Sequence, residues 1–291
     1  MRTWLGDGRT ARILAIAPRV LRRMPYARFT TASNRFRAAS ALLRPPRKVA
    51  TYGSRKWKPL TACRHFRPWV DGSFDFYNGL ARMSERSGRE TESGFHYLAF
   101  LPPSENSGGS VVVYLHGIGE RGEDLSLVKR YGLPALLAGG RASINCPVIC
   151  PQLESGSNWE PRRVARFIRA VAAEPLKTVL IGYSLGACGV CEVIGRFGAV
   201  VGQAVAIAGR APHQAEVSQT GVSFLAIQGE LDSWPSTASF VESVSSLGGR
   251  ASSVTLPGQG HYVSEQAVLH SSCASALQAV GVKITVSQNA G

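Results

Sequence analysis

Apolar residues in this chain fall into short unbroken runs separated by stretches of helical period. Ser110–Leu115 (SVVVYL) and Thr178–Ile181 (TVLI) are continuous runs of β-favouring side chains, the pattern of strands covered on both faces. Phe95–Leu101 predicts a strand stopped by Pro102-Pro103, and Pro147–Cys150 a short one ending at Pro151. Arg162–Ala173 places apolar residues at 164, 165, 167, 168 and 171, one face of a helix. Further strands are predicted at Ala204–Ala208, Val222–Gln228 and Ser252–Leu256, and further helices at about 185–197, Ser236–Leu247 and Val263–Val280. Strands alternating with helices predict an α/β fold, a mostly parallel sheet with helices on both faces.

Residues 1–90 lack this order. They are rich in Arg, Ala, Ser and Pro, and their best amphipathic piece, Ala11–Met24, is broken by Pro18. The expected organisation is a basic, disordered N-terminal extension over 1–90 and a catalytic domain over 91–291. Charge divides the same way. Residues 1–70 hold 17 of the 33 Lys and Arg residues and one acid, Asp7, while residues 71–291 hold 16 basic and 18 acidic side chains. The pI near 10 therefore belongs to the extension, and a nucleic-acid partner is not expected for the globular body. The extension has the Arg- and Ser-rich, acid-poor composition of an organellar transit peptide. Alternatively, residues 1–82 are upstream sequence, because Met83 opens a stretch leading straight into the first strand. The expected compartment is cytoplasmic, or an organelle if residues 1–82 are a transit peptide. No run of 18 apolar residues occurs, so no transmembrane segment is expected. Six cysteines at 63, 146, 150, 188, 191 and 273 show no regular framework and read as buried thiols in a reducing compartment. Cys188-Gly-Val-Cys191 has redox or zinc spacing but no second pair beside it, so helix packing is the expectation, with no metal and no cofactor.

Chemistry gathers at strand ends. Gly182-Tyr-Ser184-Leu-Gly186 lies between a predicted strand and a predicted helix, the setting in which GxSxG presents a nucleophilic serine on a tight turn. A serine needs a base and an orienting acid, in the chain order Ser, acid, His for this architecture. Gly229-Glu-Leu-Asp232 follows one later strand and Pro257-Gly-Gln-Gly-His261 the next. Both sit where a parallel sheet collects its active site. Asp232 is preferred to Glu230 as the acid. His261 is preferred to His270, inside the last predicted helix, and to His213, His65 and His96, which fall outside the expected order. Two backbone N–H donors must stabilise an oxyanion. One is assigned to Leu185 and the other to Ile118, with Gly119 as alternative, in the loop His116-Gly-Ile118-Gly-Glu-Arg-Gly122. His116 is read as shaping that turn, and Glu120-Arg121 as bracing it or contacting substrate. Trp159 and Trp234 are candidate pocket walls, with plain packing as the competing reading.

The segments VVVYLHGIGERGED, VICPQLESGSNW, VLIGYSLGACG, AIQGELDSWPS and PGQGHYV resemble the α/β-hydrolase superfamily. More narrowly, they are similar to small carboxylesterases and predicted peptidases of the polyhydroxybutyrate-depolymerase-like and feruloyl-esterase-like group, over roughly residues 95–285. The resemblance implies an esterase mechanism with Ser184, His261 and Asp232 as the triad. Ala187 departs from the glycine many relatives carry there, and its methyl is expected to tighten the helix against the strand. Only 13 residues, Gly209–Gly221, join two late strands, too few for a large cap domain, so an open site for small-molecule or oligomeric esters is expected. Alternatives are a serine peptidase on the same fold, or a non-catalytic binding protein with a nucleic-acid-binding arm.

Overall fold

Eight strands form the central sheet of the computed structural model. The structure describes residues 76–77, 80–104, 108–211, 221–233 and 237–287, all within the unit Arg55–Gly291. The strands are β1 (Ser84–Arg89), β2 (His96–Leu101), β3 (Val111–Leu115), β4 (Val148–Gln152), β5 (Thr178–Tyr183), β6 (Gln203–Ile207), β7 (Ser223–Gly229) and β8 (Arg250–Leu256). Their spatial order is β8-β7-β6-β5-β3-β4-β2-β1. Pairing is parallel from β8 through β4 and antiparallel for β4–β2 and β2–β1. The helices are α1 (Gly132–Ala138), α2 (Pro161–Val171), α3 (Leu185–Phe197), α4 (Ala238–Ser246), α5 (Ser264–Leu269) and α6 (Ser271–Gln278).

Two apolar layers explain the unbroken runs. Along β5, Leu180 joins the layer of α2, α3 and α4 with Phe167, Val190 and Phe240. Its neighbours Val179 and Ile181 join the layer of α1, α5 and α6 with Leu133, Leu136, Val268 and Leu277. Alternate side chains leave opposite faces of a strand, and both faces are covered here, so Val179, Leu180 and Ile181 are apolar in succession. Residue Glu160 starts α2: its carboxylate accepts the amides of Arg162 and Arg163 at 2.8 and 2.6 Å, with Pro161 in the first turn.

Three elements depart from the sequence expectation. The sheet begins at Ser84, inside the stretch counted with the extension. Strand β1 reads SERSGR and lies exposed at the sheet edge, so it carries no apolar signal, although Met83 beside it is buried. Helix α1 was hidden by Gly132 and Pro134, yet Pro134 falls in the first turn, where no intrahelical amide bond is lost. The last predicted helix is two. His270 takes an extended backbone (ψ 142°) between α5 and α6, and its Nδ1 accepts the Ser272 amide at 3.2 Å. It therefore caps a helix rather than lying within one.

The feature that places the site is the depth to which α3 drives its first turn into the sheet. A β-carbon at Gly186 would overlap the Leu115 and His116 carbonyl oxygens, and one at Gly182 would overlap the Gly186 carbonyl. Backbone thus packs on backbone at the C-terminal ends of β3 and β5. At the next residue, the Ala187 methyl fills the space left by Gly209. Overpacking such a contact costs about 1–3 kcal/mol. Gly186→Ala should lower stability by about that much in chemical denaturation. Gly119→Ala should change it little, since no atom lies within 4 Å of the added carbon. Equal losses in the two variants would contradict this account of the packing.

Candidate active site

Ser184 joins β5 to α3 with φ 53° and ψ −112°, a left-handed backbone that costs a non-glycine residue on the order of 1–3 kcal/mol. Its amide is held by the Ile207 carbonyl of β6 at 2.9 Å, and its carbonyl accepts Cys188 N at 3.2 Å as α3 begins. The hydroxyl is thereby fixed at the carboxyl edge of the sheet, facing the positive end of a 13-residue helix.

Two neighbouring loops bring His261 and Asp232 to it. Ser184 Oγ lies 2.9 Å from His261 Nε2, and His261 Nδ1 lies 2.9 Å from Asp232 Oδ2. The Asp232 side chain is fully buried while that of His261 is 25% exposed, so the acid is shielded and the ring reaches solvent. The loops are laced together. Glu230 N donates to Leu256 O at 3.0 Å and Leu231 N to Gln259 O at 2.8 Å. Glu230, the rival acid, accepts Gly258 N at 2.8 Å and so ties the two loops. The Tyr183 hydroxyl donates to His261 O at 3.2 Å, and burial raises its own pKa. Rings of Tyr183, Tyr131 and Tyr262 surround this corner at centroid separations of 5.7–6.2 Å.

The loop after β3 is held peptide by peptide. Gly117 O lies 2.7 Å from His116 Nδ1, which donates because Nε2 accepts the Leu153 amide at 3.0 Å. Burial lowers the His116 pKa to about 4, so the ring is neutral and shapes the turn. Carbonyl and amide of one trans peptide point oppositely, so fixing Gly117 O also fixes the Ile118 N–H. The next three carbonyls are pinned in turn: Ile118 O by Arg121 Nε (3.2 Å), Gly119 O by Arg130 (3.1 Å) and Glu120 O by Gln152 Nε2 (3.0 Å). Arg121 also reaches Ser157 O at 2.8 Å. The Glu120 carboxyl group turns inward, is fully buried and accepts Gly117 N at 2.8 Å. Both members of the Glu120-Arg121 pair therefore brace the loop. Ile118 itself is 60% exposed, and Leu185 opens α3, where a first-turn amide has no intrahelical acceptor.

Trp159 is 5% exposed. It donates from Nε1 to His116 O at 3.1 Å and meets the His116 and Phe95 rings, which places it behind the loop. Trp234 lies outside the described residues, as does Cys63. No disulfide joins the described cysteines. Cys191 packs inside α3 with its thiol pKa raised by burial, and among the described residues no group of three His, Cys, Asp or Glu side chains is placed to hold a metal ion. Sequence reasoning missed Tyr183, Arg130 and Gln152 as positioning groups. No periodicity or spacing marks them, because each acts through one long-range bond to a backbone carbonyl.

No protein-family model matches the chain, and no curated protein matches it. Solved structures do. A thermostable esterase superposes with a TM-score of 0.51 at 18% identity, over 68% of this chain and 62% of that one; the chain thus spans about three fifths of that protein. Esterase PE8 gives 0.45 at 17% identity over 69% and 100% of the two chains. A ferulic acid esterase from the anaerobic fungus Anaeromyces mucronatus gives 0.44 at 17% over 67% and 91%. The first likeness carries the fold assignment, together with the strand order and the helices on both faces. This chain has the α/β-hydrolase fold.

Proposed function

We propose that the chain is a serine hydrolase that cleaves carboxylic esters of small or oligomeric molecules through an acyl-enzyme on Ser184. The observation that supports this most directly is the unbroken hydrogen-bonded series Ser184–His261–Asp232, with both contacts at 2.9 Å. In the cycle, His261 Nε2 takes the Ser184 proton as Oγ attacks the ester carbonyl, while buried Asp232 holds the Nδ1–H tautomer and stabilises the imidazolium. The Leu185 and Ile118 amides bind the oxyanion. His261 then protonates the leaving alcohol, and water, deprotonated by His261 in its turn, releases the acid.

The surroundings fit this reading. Exposed large apolar side chains stand beside each proposed group: Ile118 in the oxyanion loop, Leu231 next to Asp232 and Tyr262 next to His261. They would contact the apolar part of an ester. Among the described residues no helix is long and apolar enough to cross a membrane.

Ser184→Ala should lower kcat for p-nitrophenyl acetate by about 10⁴-fold or more with the circular dichroism spectrum unchanged. Asp232→Asn should cost on the order of 10⁴-fold, because the amide favours the wrong imidazole tautomer. A folded Ser184→Ala protein that keeps most of its activity would overturn the assignment. Tyr183→Phe removes one backbone-directed hydrogen bond, of about 0.5–1.5 kcal/mol. It should reduce kcat by about tenfold at most, a graded loss that separates positioning of His261 from catalysis.

A further inference from the structure

Glu120 combines features that bracing alone does not require. It is fully buried. One carboxyl oxygen accepts the Gly117 amide, and the other, Oε1, has no hydrogen-bond partner. A β-carbon placed on Gly117 would lie 3.2 Å from Glu120 Oε2 and 3.5 Å from Ser184 Cβ, so the carboxyl and the nucleophile flank the same space beside Gly117. Among the described residues no cation pairs with it: the nearby Arg130 guanidinium is engaged with Gly119 O. A buried carboxylate with an unpartnered oxygen and no counter-ion is strongly disfavoured against the neutral acid.

We propose that Glu120 is a positioning residue that holds the oxyanion loop as a neutral carboxylic acid, and that its ionisation disarms the site. The inference rests on the ester-hydrolase reading above. As a neutral acid, Glu120 accepts the Gly117 amide and adds no charge near Ser184. As an anion at the same buried position, it opposes the negative charge that Ile118 and Leu185 must stabilise on the substrate oxygen. Burial raises the Glu120 pKa from 4.5 to about 8, against smaller opposing effects of the Gly117 amide and Arg130. The site is therefore armed below about pH 8 and disarmed above it.

The neighbouring titratable groups are themselves shifted by burial or held in their own bonds. Tyr114 on β3, Cys150 on β4 and Tyr183 before the nucleophile are all pushed up by burial. His116 is neutral above about pH 4. The Arg130 and Arg121 guanidinium groups are engaged with Gly119 O and Ile118 O. Glu265, whose charge adds to the upward push on Tyr114, is paired with Arg141, and Asp124 turns its carboxylate to Ser126 at the surface.

The same shift affects folding, with a definite sign. The folded state binds the Glu120 proton more tightly than the unfolded chain, so this group's stabilisation is complete below the unfolded value. It is lost progressively as pH rises to about 8.

The test compares wild type with Glu120→Gln, which keeps an acceptor for the Gly117 amide and cannot ionise. For wild type, kcat on p-nitrophenyl acetate, corrected for spontaneous hydrolysis, should fall about tenfold or more between pH 7 and 9.5. In E120Q the ratio of the two values should stay near one. Thermal stability between pH 5 and 8 should decline more steeply in wild type than in E120Q, a readout that needs no catalysis. An E120Q enzyme with the wild-type alkaline fall, or a wild type with none, would overturn the inference while leaving the ester-hydrolase reading intact. Parallel stability profiles in the two proteins would overturn it as well. Absence of esterase activity in wild type at every pH would instead overturn the functional reading, and the stability comparison would still decide whether Glu120 titrates as stated.

Discussion

Backbone meets backbone where the first turn of α3 presses on the ends of β3 and β5, and the rest of the site is arranged around that contact. With no β-carbon at Gly182 or Gly186, the chain can turn sharply enough to hold Ser184 at φ 53°. The turn lifts the hydroxyl above the sheet edge and leaves the first amides of the helix facing it. Any side chain at either glycine separates helix from strand and moves the serine away from the loops that serve it. The strain in Ser184 persists because Ile207 O holds its amide from one side and the buried helix holds the other.

Around that point, rigidity comes from many single hydrogen bonds rather than from a large apolar contact. Carbonyls 117 to 120 each meet a side-chain donor, supplied by His116, Arg121, Arg130 and Gln152. Fixing a carbonyl fixes the amide of the following residue, so a loop built on one short 3-10 turn, Ile118–Glu120, presents its N–H groups in set directions. The acid and histidine loops use the same device, with Glu230 and Tyr183 as the ties. Glu120 belongs to this scheme and also departs from it, because its second oxygen lacks a partner. That departure gives the loop a group sensitive to protonation.

How legible the molecule was in its sequence depended on the kind of signal each part carries. Strands buried on both faces announce themselves as apolar runs, and β3, β5, β6 and β7 were read closely. Edge strand β1 is almost wholly polar and left no such trace. Helix α1 was obscured by a proline that its first turn tolerates, and the α5–α6 break by a histidine whose capping role has no pattern. Ser184, Asp232 and His261 were singled out because chain order and strand ends constrain them. The structure brings these three together at hydrogen-bond distances. Tyr183, Arg130 and Gln152 were not legible, since a bond from a side chain to a distant carbonyl depends on the whole fold.

The central claim is that Ser184 carries an acyl group during turnover. Its most direct test is acid quenching of wild-type protein during the first turnovers of a slowly deacylated p-nitrophenyl ester, followed by mass analysis of the intact chain and its peptides. The account predicts one acyl adduct per chain, mapped to the peptide containing Ser184, that forms at the rate of the first burst of nitrophenol. Rapid ester turnover with no adduct, or an adduct on another residue, would contradict it.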